Sequence, residues 1–151
     1  MKRTLAVALF LALASCTNGG TPTSSNGAGA GTTIDVNLTL NAPVGTPYGE
    51  SGGFNPPVTT VPVGSQIRFT NTDSFAHTAT LIPNATSFPQ GSPFGAGALQ
   101  QHGNSVSGGF SSGAMQAGSS SQTILVDRAG TYLYGCFFHY GAPMRGAIVA
   151  Q

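Results

Sequence analysis

From residue 33 onward the chain consists of short segments rich in β-branched and aromatic residues, separated by Gly, Pro, Asn and Asp. The clearest segment runs from Ile34 to Leu40, where Ile34, Val36, Leu38 and Leu40 alternate with polar residues. Alternation with a period of two is typical of a strand with one buried face. Since no segment has convincing helical periodicity, the pattern restricts the chain to an all-β fold.

Other segments of the same kind are also predicted to be strands. They are Val58–Val63, Gln66–Asn71, His77–Ile82, Gln122–Val126, Thr131–Cys136 and Gly146–Ala150. The turn-forming residues Asp127–Gly130 indicate a hairpin between Gln122–Val126 and Thr131–Cys136. About seven short strands in one domain predict a Greek-key sandwich of two sheets.

The segment 83–121 is rich in Gly, Ser and Pro, and its large apolar residues are scattered. We expect long loops there, with one or two strands around Val106–Phe110. Structureless stretches of this length are unusual inside a compact domain, so part of the segment should be ordered.

The first residues have the layout of an export signal, with Lys2 and Arg3 before an apolar stretch that is too short for a permanent membrane span. Residues 13–16, Leu-Ala-Ser-Cys, resemble a bacterial lipobox, in which Cys16 becomes the lipidated first residue. The alternative is an ordinary cleavage site with an incidental cysteine. Lipidation would hold an exported protein on a membrane surface, in the periplasm or at the cell surface.

The chain is thus predicted to have three parts: a signal peptide at 1–15, a flexible tether at 16–32 that starts with Cys16, and a folded domain at 33–151. Without its leader the protein is nearly neutral, and charged residues are only 6% of the chain. Nucleic-acid binding is excluded as an interpretation, because no basic patch is present to neutralise phosphates. We expect a monomer.

Cys136 is the one cysteine outside the leader region, since the chain has 2 cysteines and the other is Cys16. If Cys16 is lipidated, Cys136 has no disulfide partner in an oxidising compartment. A lone thiol there needs a use, and binding a metal as thiolate is one.

Residues 136–144, Cys-Phe-Phe-His-Tyr-Gly-Ala-Pro-Met, place Cys136, His139 and Met144 on one predicted loop between strands. His77 lies far upstream, after the turn-like residues 71–74. Two imidazoles, one thiolate and a weak axial thioether are the ligands of an electron-transfer copper site. Taken singly, each residue also has a structural interpretation, as a small buried residue, a hydrogen-bonded histidine or core filler. Their joint spacing favours the copper site.

This loop, with the earlier histidine after an Asn/Asp-rich turn, resembles the plastocyanin branch of the cupredoxins. The resemblance implies that His77, Cys136 and His139 are the strong copper ligands and that Met144 is the axial one. It also implies a blue copper protein that carries single electrons and is not an enzyme. The chain lacks the acidic patch of plastocyanins, which leaves its redox partners open.

Several expectations accompany this interpretation. Donor and acceptor proteins should dock on the apolar face around His139, and Phe137, Phe138, Tyr140 and Pro143 should keep water from the site. A hydrogen bond to the sulfur of Cys136 should come from the backbone near His77. His102 and Met115 are predicted to be structural or surface residues.

Competing functions are a copper carrier for storage or delivery, a metal-free surface domain and an enzyme. Copper enzymes with this fold need further copper sites built from many histidines, whereas this chain has 3 histidines in all. Catalysis by Cys136 with His139 lacks an evident third group to orient the base.

Overall fold

A computed structural model describes residues 31–151. The predicted signal peptide, the predicted lipidation site Cys16 and nearly all of the predicted tether lie outside the described residues. Within 31–151, no helix has both the length and the apolar character needed to cross a membrane.

The described chain is built almost entirely of strands, numbered here in chain order. Their bounds are β1 Gly31–Val36, β2 Val44–Thr46, β3 Gly49–Ser51, β4 Phe54–Asn55, β5 Val58–Val61, β6 Gln66–Asn71, β7 Thr80–Leu81, β8 Gln101–Ser105, β9 Gly109–Ser112, β10 Ile124–Leu125, β11 Gly130–Gly135 and β12 Arg145–Ala150. A short 3₁₀ helix at Ala96–Leu99 precedes β8.

The strands are hydrogen-bonded in the order β4-β1-β6-β10-β8-β9-β7-β11-β12-β5, and β2 pairs separately with β3. Most neighbours are not consecutive in sequence, and β1 with β6 and β5 with β12 are parallel pairs. The β8–β9 hairpin lies in the middle of the order and connects two halves of five strands each.

The two halves face each other across one hydrophobic core. The ring of Tyr134 on β11 lies 5.0 Å from that of Phe69 on β6 and 4.9 Å from that of Phe54 on β4, measured between centroids. The main core cluster accordingly contains residues from both halves, including Ile34 and Ile148. This arrangement confirms the predicted all-β sandwich.

The first strand is shorter than its alternating pattern predicted. Ile34 and Val36 are fully buried, but β1 ends at Val36 and Leu40 is 77% exposed. Asn37 stops the strand because its side-chain oxygen accepts the Leu40 N–H at 2.9 Å and its carbonyl accepts the Asn41 N–H at 3.1 Å. These local bonds form a turn, so the last part of the predicted strand is wrong.

The predicted hairpin around Asp127–Gly130 is also wrong. β10 pairs with β6 and β8, whereas β11 pairs with β7 and β12. The turn therefore crosses from one half of the sandwich to the other. Turn residues determine that the chain reverses, but they do not determine which strands become hydrogen-bonded neighbours.

The Gly/Ser-rich segment 83–121 is ordered, as expected, and contains the 3₁₀ helix and the β8–β9 hairpin. Its first part covers the outer side of β11 and β12, where Phe88 packs in a second apolar cluster with Leu133, Tyr140 and Ala147. Strand β8 ends just before Val106 and β9 begins three residues after it, and Val106 itself is fully buried.

Candidate metal centre

The loop from Cys136 to Met144 joins β11 to β12 and is closed by its own backbone. The Cys136 N–H donates to the Met144 carbonyl at 3.0 Å, and the Met144 N–H donates to the His139 carbonyl at 3.2 Å. The Ala142 N–H also donates to the His139 carbonyl, at 2.9 Å. The end of one strand and the start of its antiparallel neighbour thus hold three predicted site residues close together.

His77 reaches the same place from the loop after β6. The side chain of Asn71 organises this loop by donating to the carbonyls of Phe75 and Met115, both at 2.9 Å, and by accepting the Asp73 N–H at 3.0 Å. The backbone of His77 bonds to Met115 in both directions, at 3.1 and 2.8 Å. The predicted strand from His77 is wrong in its start, because β7 begins at Thr80 and His77 forms only an isolated bridge.

Three donor atoms meet in a triangle. The Sγ atom of Cys136 lies 3.7 Å from Nδ1 of His77 and 3.7 Å from Nδ1 of His139, and the two nitrogens are 3.2 Å apart. A point equidistant from atoms so placed is about 2.1 Å from each, close to the roughly 2.0–2.3 Å at which nitrogen and sulfur bind first-row metals. The residues therefore fit a copper ion in both donor type and spacing.

The centre is buried and has one exposed side. His77, Cys136 and Met144 are fully buried, whereas His139 is partly exposed. Met144 packs in the same core cluster as Cys136. Gly53 leaves space for it, because a Cβ at Gly53 would lie 2.5 Å from Cγ and 3.2 Å from Sδ of Met144.

The sulfur of Cys136 accepts a hydrogen bond from the Thr78 N–H at 3.4 Å, next to His77 as expected. The hydroxyl of Thr78 in turn accepts the Phe137 N–H at 2.8 Å. Thr78 thereby connects the two loops of the centre directly.

Burial sets the protonation of the donor groups. It lowers the pKa of His77, although hydrogen bonding and charge from Asp73 oppose the shift. Burial also lowers the pKa of His139. Burial thus favours the neutral form of both imidazoles, which is the form that binds metals. Burial raises the pKa of the Cys136 thiol against opposing hydrogen bonds, first from Thr78, so metal binding must release a proton.

Asp73 is a residue of the centre that sequence reasoning assigned only to a turn. Its Oδ2 atom lies 3.1 Å from Nε2 of His77, and the two side chains are 4% and 0% exposed. Burial opposes ionisation of Asp73, but hydrogen bonds from Ser74, His77 and Leu38 outweigh it and lower its pKa. In the sequence, Asp73 is visible only as an acidic residue four positions before His77. This spacing does not distinguish a turn residue from a hydrogen-bond partner of His77.

Aromatic rings surround the exposed side of His139. The ring of Phe75 lies 5.3 Å from that of His139 and 4.9 Å from that of His77, and Phe138 lies 6.1 Å from His139. Phe75 and Phe138 are 40% and 44% exposed. Phe75 was not predicted at the site, while Tyr140, which was, packs in the second apolar cluster instead.

His102 and Met115 were predicted to be structural or surface residues, and His102 lies outside the cluster of His77, Cys136 and His139. His102 is exposed, and one ring nitrogen lies 3.2 Å from the Gln100 carbonyl. Met115 is 3% exposed and packs in the main core. Both agree with the predicted structural or surface roles.

Comparison with known proteins identifies one family. Residues 44–151 match the family described as copper binding proteins, plastocyanin/azurin family. No curated protein sequence matches the chain. A purple cupredoxin from Nitrosopumilus maritimus is similar in structure at a TM-score of 0.50 and 21% identity, over 80% of this chain and 99% of that one. A plastocyanin from Dryopteris crassirhizoma gives a TM-score of 0.48 and 18% identity, over 80% of this chain and 100% of that one.

Proposed function

The chain belongs to the plastocyanin/azurin family of copper-binding proteins, and from this premise we propose that it carries single electrons by means of copper bound at His77, Cys136, His139 and Met144. The observation that carries the proposal is the triangle of one sulfur and two Nδ1 atoms, with His77 and Cys136 fully buried. Met144 is proposed as the weak axial ligand because it is fully buried and its backbone carbonyl accepts the Cys136 N–H at 3.0 Å.

Copper, when bound, supplies a one-electron couple between Cu(I) and Cu(II). Imidazole nitrogens suit both states, and thiolate and thioether sulfurs favour Cu(I), so the same donor set serves both. The backbone bonds between Cys136, His139 and Met144 keep these donors in place when an electron enters or leaves. Burial of Cys136 and His77 excludes water from the centre, and the Thr78 N–H stabilises the thiolate.

A copper carrier for storage or delivery is the second candidate. Delivery requires an acceptor protein to reach the ligands in turn, but His77, Cys136 and Met144 are fully buried and only His139 has an exposed edge. This burial favours electron transfer. An electron carrier keeps its copper through repeated oxidation and reduction, whereas a delivery protein transfers it to an acceptor apoprotein.

The proposed role is not enzymatic. Copper enzymes of this fold need additional histidine-rich sites, and within residues 31–151 His77, Cys136 and His139 form the one cluster of potential metal-binding groups. His102 lies apart from it, on the surface.

Electron exchange with donor and acceptor proteins is proposed to use the surface formed by His139, Phe75 and Phe138. These rings are partly exposed and give the ligand an apolar surround. Because charged residues are only 6% of the chain, apolar contact is the main attraction available. A small, short-lived interface suits such exchange.

Export and attachment to a membrane by a lipid on Cys16 are proposed from the apolar leader and the residues before Cys16. In cells, the full chain should fractionate with membranes, and mass spectrometry of the mature protein should find acyl chains on an N-terminal Cys16. A mature protein that begins elsewhere, or whose Cys16 carries no acyl chain, would contradict the lipid anchor.

The deciding test of the copper site is the visible spectrum of the chain from Thr17 to Gln151, titrated with Cu(II). We expect an intense thiolate-to-copper band that saturates at one copper per chain and is bleached reversibly by reductant. Cys136→Ser should abolish the band while the β-fold, followed by circular dichroism, is retained. A folded wild-type protein without the band would refute the proposed site and favour a copper carrier or a metal-free domain.

A further inference from the structure

Asp73 and His77 form a buried pair directly behind the donor triangle. Nε2 of His77 lies 3.1 Å from Oδ2 of Asp73, while Nδ1 of the same ring faces Cys136 and His139. A buried carboxylate is unfavourable unless it is paired or hydrogen-bonded. Its position against one metal-binding residue therefore needs an explanation.

The surroundings of Asp73 favour its charged form. Its two oxygens accept from the Leu38 N–H, from the N–H and hydroxyl of Thr39, from the Ser74 N–H and from His77, at 2.8–3.4 Å. The three backbone N–H groups, of Leu38, Thr39 and Ser74, can only donate and together meet both oxygens, which suits a carboxylate and not a carboxylic acid. Within residues 31–151, Asp73 pairs with no arginine or lysine, so no cation neutralises its charge.

The pair determines which nitrogen of His77 carries the proton. A carboxylate can only accept, so the proton of the neutral ring belongs on Nε2. Nδ1 then has a free lone pair, and it points to the centre of the donor triangle. A hydrogen-bonded carboxylate also makes the opposite ring nitrogen a stronger donor.

We propose that Asp73 is a positioning residue that holds His77 with its proton on Nε2 and, through its negative charge, favours Cu(II) over Cu(I) at the centre. This inference rests on the proposed copper site and deepens it. An ion of charge +2 gains more from a nearby buried negative charge than an ion of charge +1. Asp73 therefore lowers the reduction potential of the bound copper.

A purely structural role is the competing explanation, since Asp73 also ties residues 38 and 39 to the loop before His77. Asp73→Asn removes the charge and keeps the shape and one acceptor oxygen, although its amide nitrogen cannot accept a hydrogen bond. The comparison of Cu(II) with Cu(I) separates the two explanations, because a purely structural loss weakens the binding of both ions alike. Asp35→Asn is the matched control. Asp35 also bonds across loops, to Thr72 at 2.6 Å and Asn41 at 3.2 Å, but it does not contact His77.

The experiment compares wild type, Asp73→Asn and Asp35→Asn, each as Thr17–Gln151, by competition titrations with Cu(II) and Cu(I) and by voltammetry. Asp73→Asn should weaken Cu(II) binding by about 10–100-fold, the usual effect of losing such a partner, and Cu(I) binding by less. Each factor of ten by which Cu(II) binding is weakened more than Cu(I) binding raises the reduction potential of the copper by about 59 mV. Asp35→Asn should match wild type.

Equal losses for Cu(I) and Cu(II), or an unchanged potential in a folded and blue Asp73→Asn protein, would overturn the charge effect and leave a structural role. A second test uses wild-type protein without metal, so it does not depend on the variant folding or on copper binding. Nitrogen NMR should find the proton of His77 on Nε2, and a proton on Nδ1 would overturn the positioning role. Absence of a blue band in wild type would instead refute the copper site itself.

Discussion

At the residue scale, Met144, the proposed axial ligand, packs closely against the glycine at position 53. Gly53 has a φ of +70°, a region that other residues rarely adopt, and a Cβ there would overlap the Met144 side chain. The backbone on both sides of Met144 is held by Gly52. The Gly52 N–H donates to the Pro143 carbonyl at 2.9 Å, and the Arg145 N–H donates to the Gly52 carbonyl at 3.1 Å. Met144 therefore has little freedom to move aside.

Gly53→Ala should displace the Met144 side chain and lower the free energy of unfolding by about 1–3 kcal/mol, as overpacking of a core does. If Met144 is the axial ligand, the copper potential should shift in the same direction as in Met144→Leu, where loss of the thioether raises it. Urea unfolding and voltammetry measure the two effects.

Gly141→Ala is the control on the same loop, since a Cβ at Gly141 meets nothing within 4 Å. It should change the free energy of unfolding by no more than about 0.5 kcal/mol. An unchanged potential in both Gly53→Ala and Met144→Leu would mean that Met144 is not an axial ligand.

At the scale of elements, side chains of turns connect strands that are distant in the chain. The β8–β9 connection is tied to the turn after β10, because Ser107 donates from its N–H to Oδ1 of Asp127 at 3.0 Å and from its hydroxyl to Oδ2. Asp127 is exposed. Both bonds lower the pKa of Asp127, and the bond from the Ser107 hydroxyl has the larger effect.

The stabilisation from Asp127 should depend on pH. A carboxyl with a lowered pKa in the folded state stabilises the protein above its unfolded pKa of about 3.9, and this stabilisation is lost as the pH falls through the folded value. Since Asp127 is exposed, the effect should stay below about 1 kcal/mol. Urea unfolding of wild type and Asp127→Asn at pH 6 and at pH 2–3 should show a difference that shrinks in acid.

Ser107→Ala removes the partner of Asp127 and provides the comparison. The variant with both Ser107→Ala and Asp127→Asn should lose less free energy of unfolding than the sum of the two single losses, because each substitution removes the same contact. Additive losses, or a difference that is the same at both pH values, would exclude this contact as the cause.

At the scale of the whole molecule, an aromatic cluster holds the two halves of the sandwich together. Tyr134 stands at its middle, in contact with Phe54, Phe69 and Phe110 at centroid distances of 4.9, 5.0 and 6.5 Å. The Tyr134 hydroxyl is buried and has no hydrogen-bond partner in the described part of the chain. Burial raises the pKa of this phenol far above its usual value, so it is never ionised under ordinary conditions.

Tyr134→Phe should raise the free energy of unfolding by about 1 kcal/mol, because an unpaired buried hydroxyl costs about 1–3 kcal/mol. Tyr140→Phe is the matched variant, since Tyr140 is equally buried but donates to the Pro89 carbonyl at 3.1 Å. It should lower the free energy of unfolding by about 1 kcal/mol. Chemical denaturation of both variants tests the contrast, and an equal loss in each would mean that the Tyr134 hydroxyl is paired in solution.

The predictable part of the fold came from local pattern. The alternation at Ile34 and Val36 and the strand Gln66–Asn71 could be read directly, because a strand with one buried face needs an apolar residue at every second position. The hairpin around Asp127 could not, since strand pairing depends on neighbours distant in the chain. The end of β1 could not either, because the local bonds of Asn37 stop the strand while the apolar alternation continues to Leu40.

The candidate site divides in the same way. By itself, the sequence determined which residues are candidate donors, because Cys136, His139 and Met144 share one short loop whose residue types are those of a copper site. Only the tertiary structure placed His77 against that loop, with Asp73 behind it, Gly53 under Met144 and Phe75 beside His139. The physical reason is that ligand type is a property of each side chain, whereas hydrogen bonding, burial and charge at a metal centre arise from residues far apart in the chain that only the packed sandwich brings together.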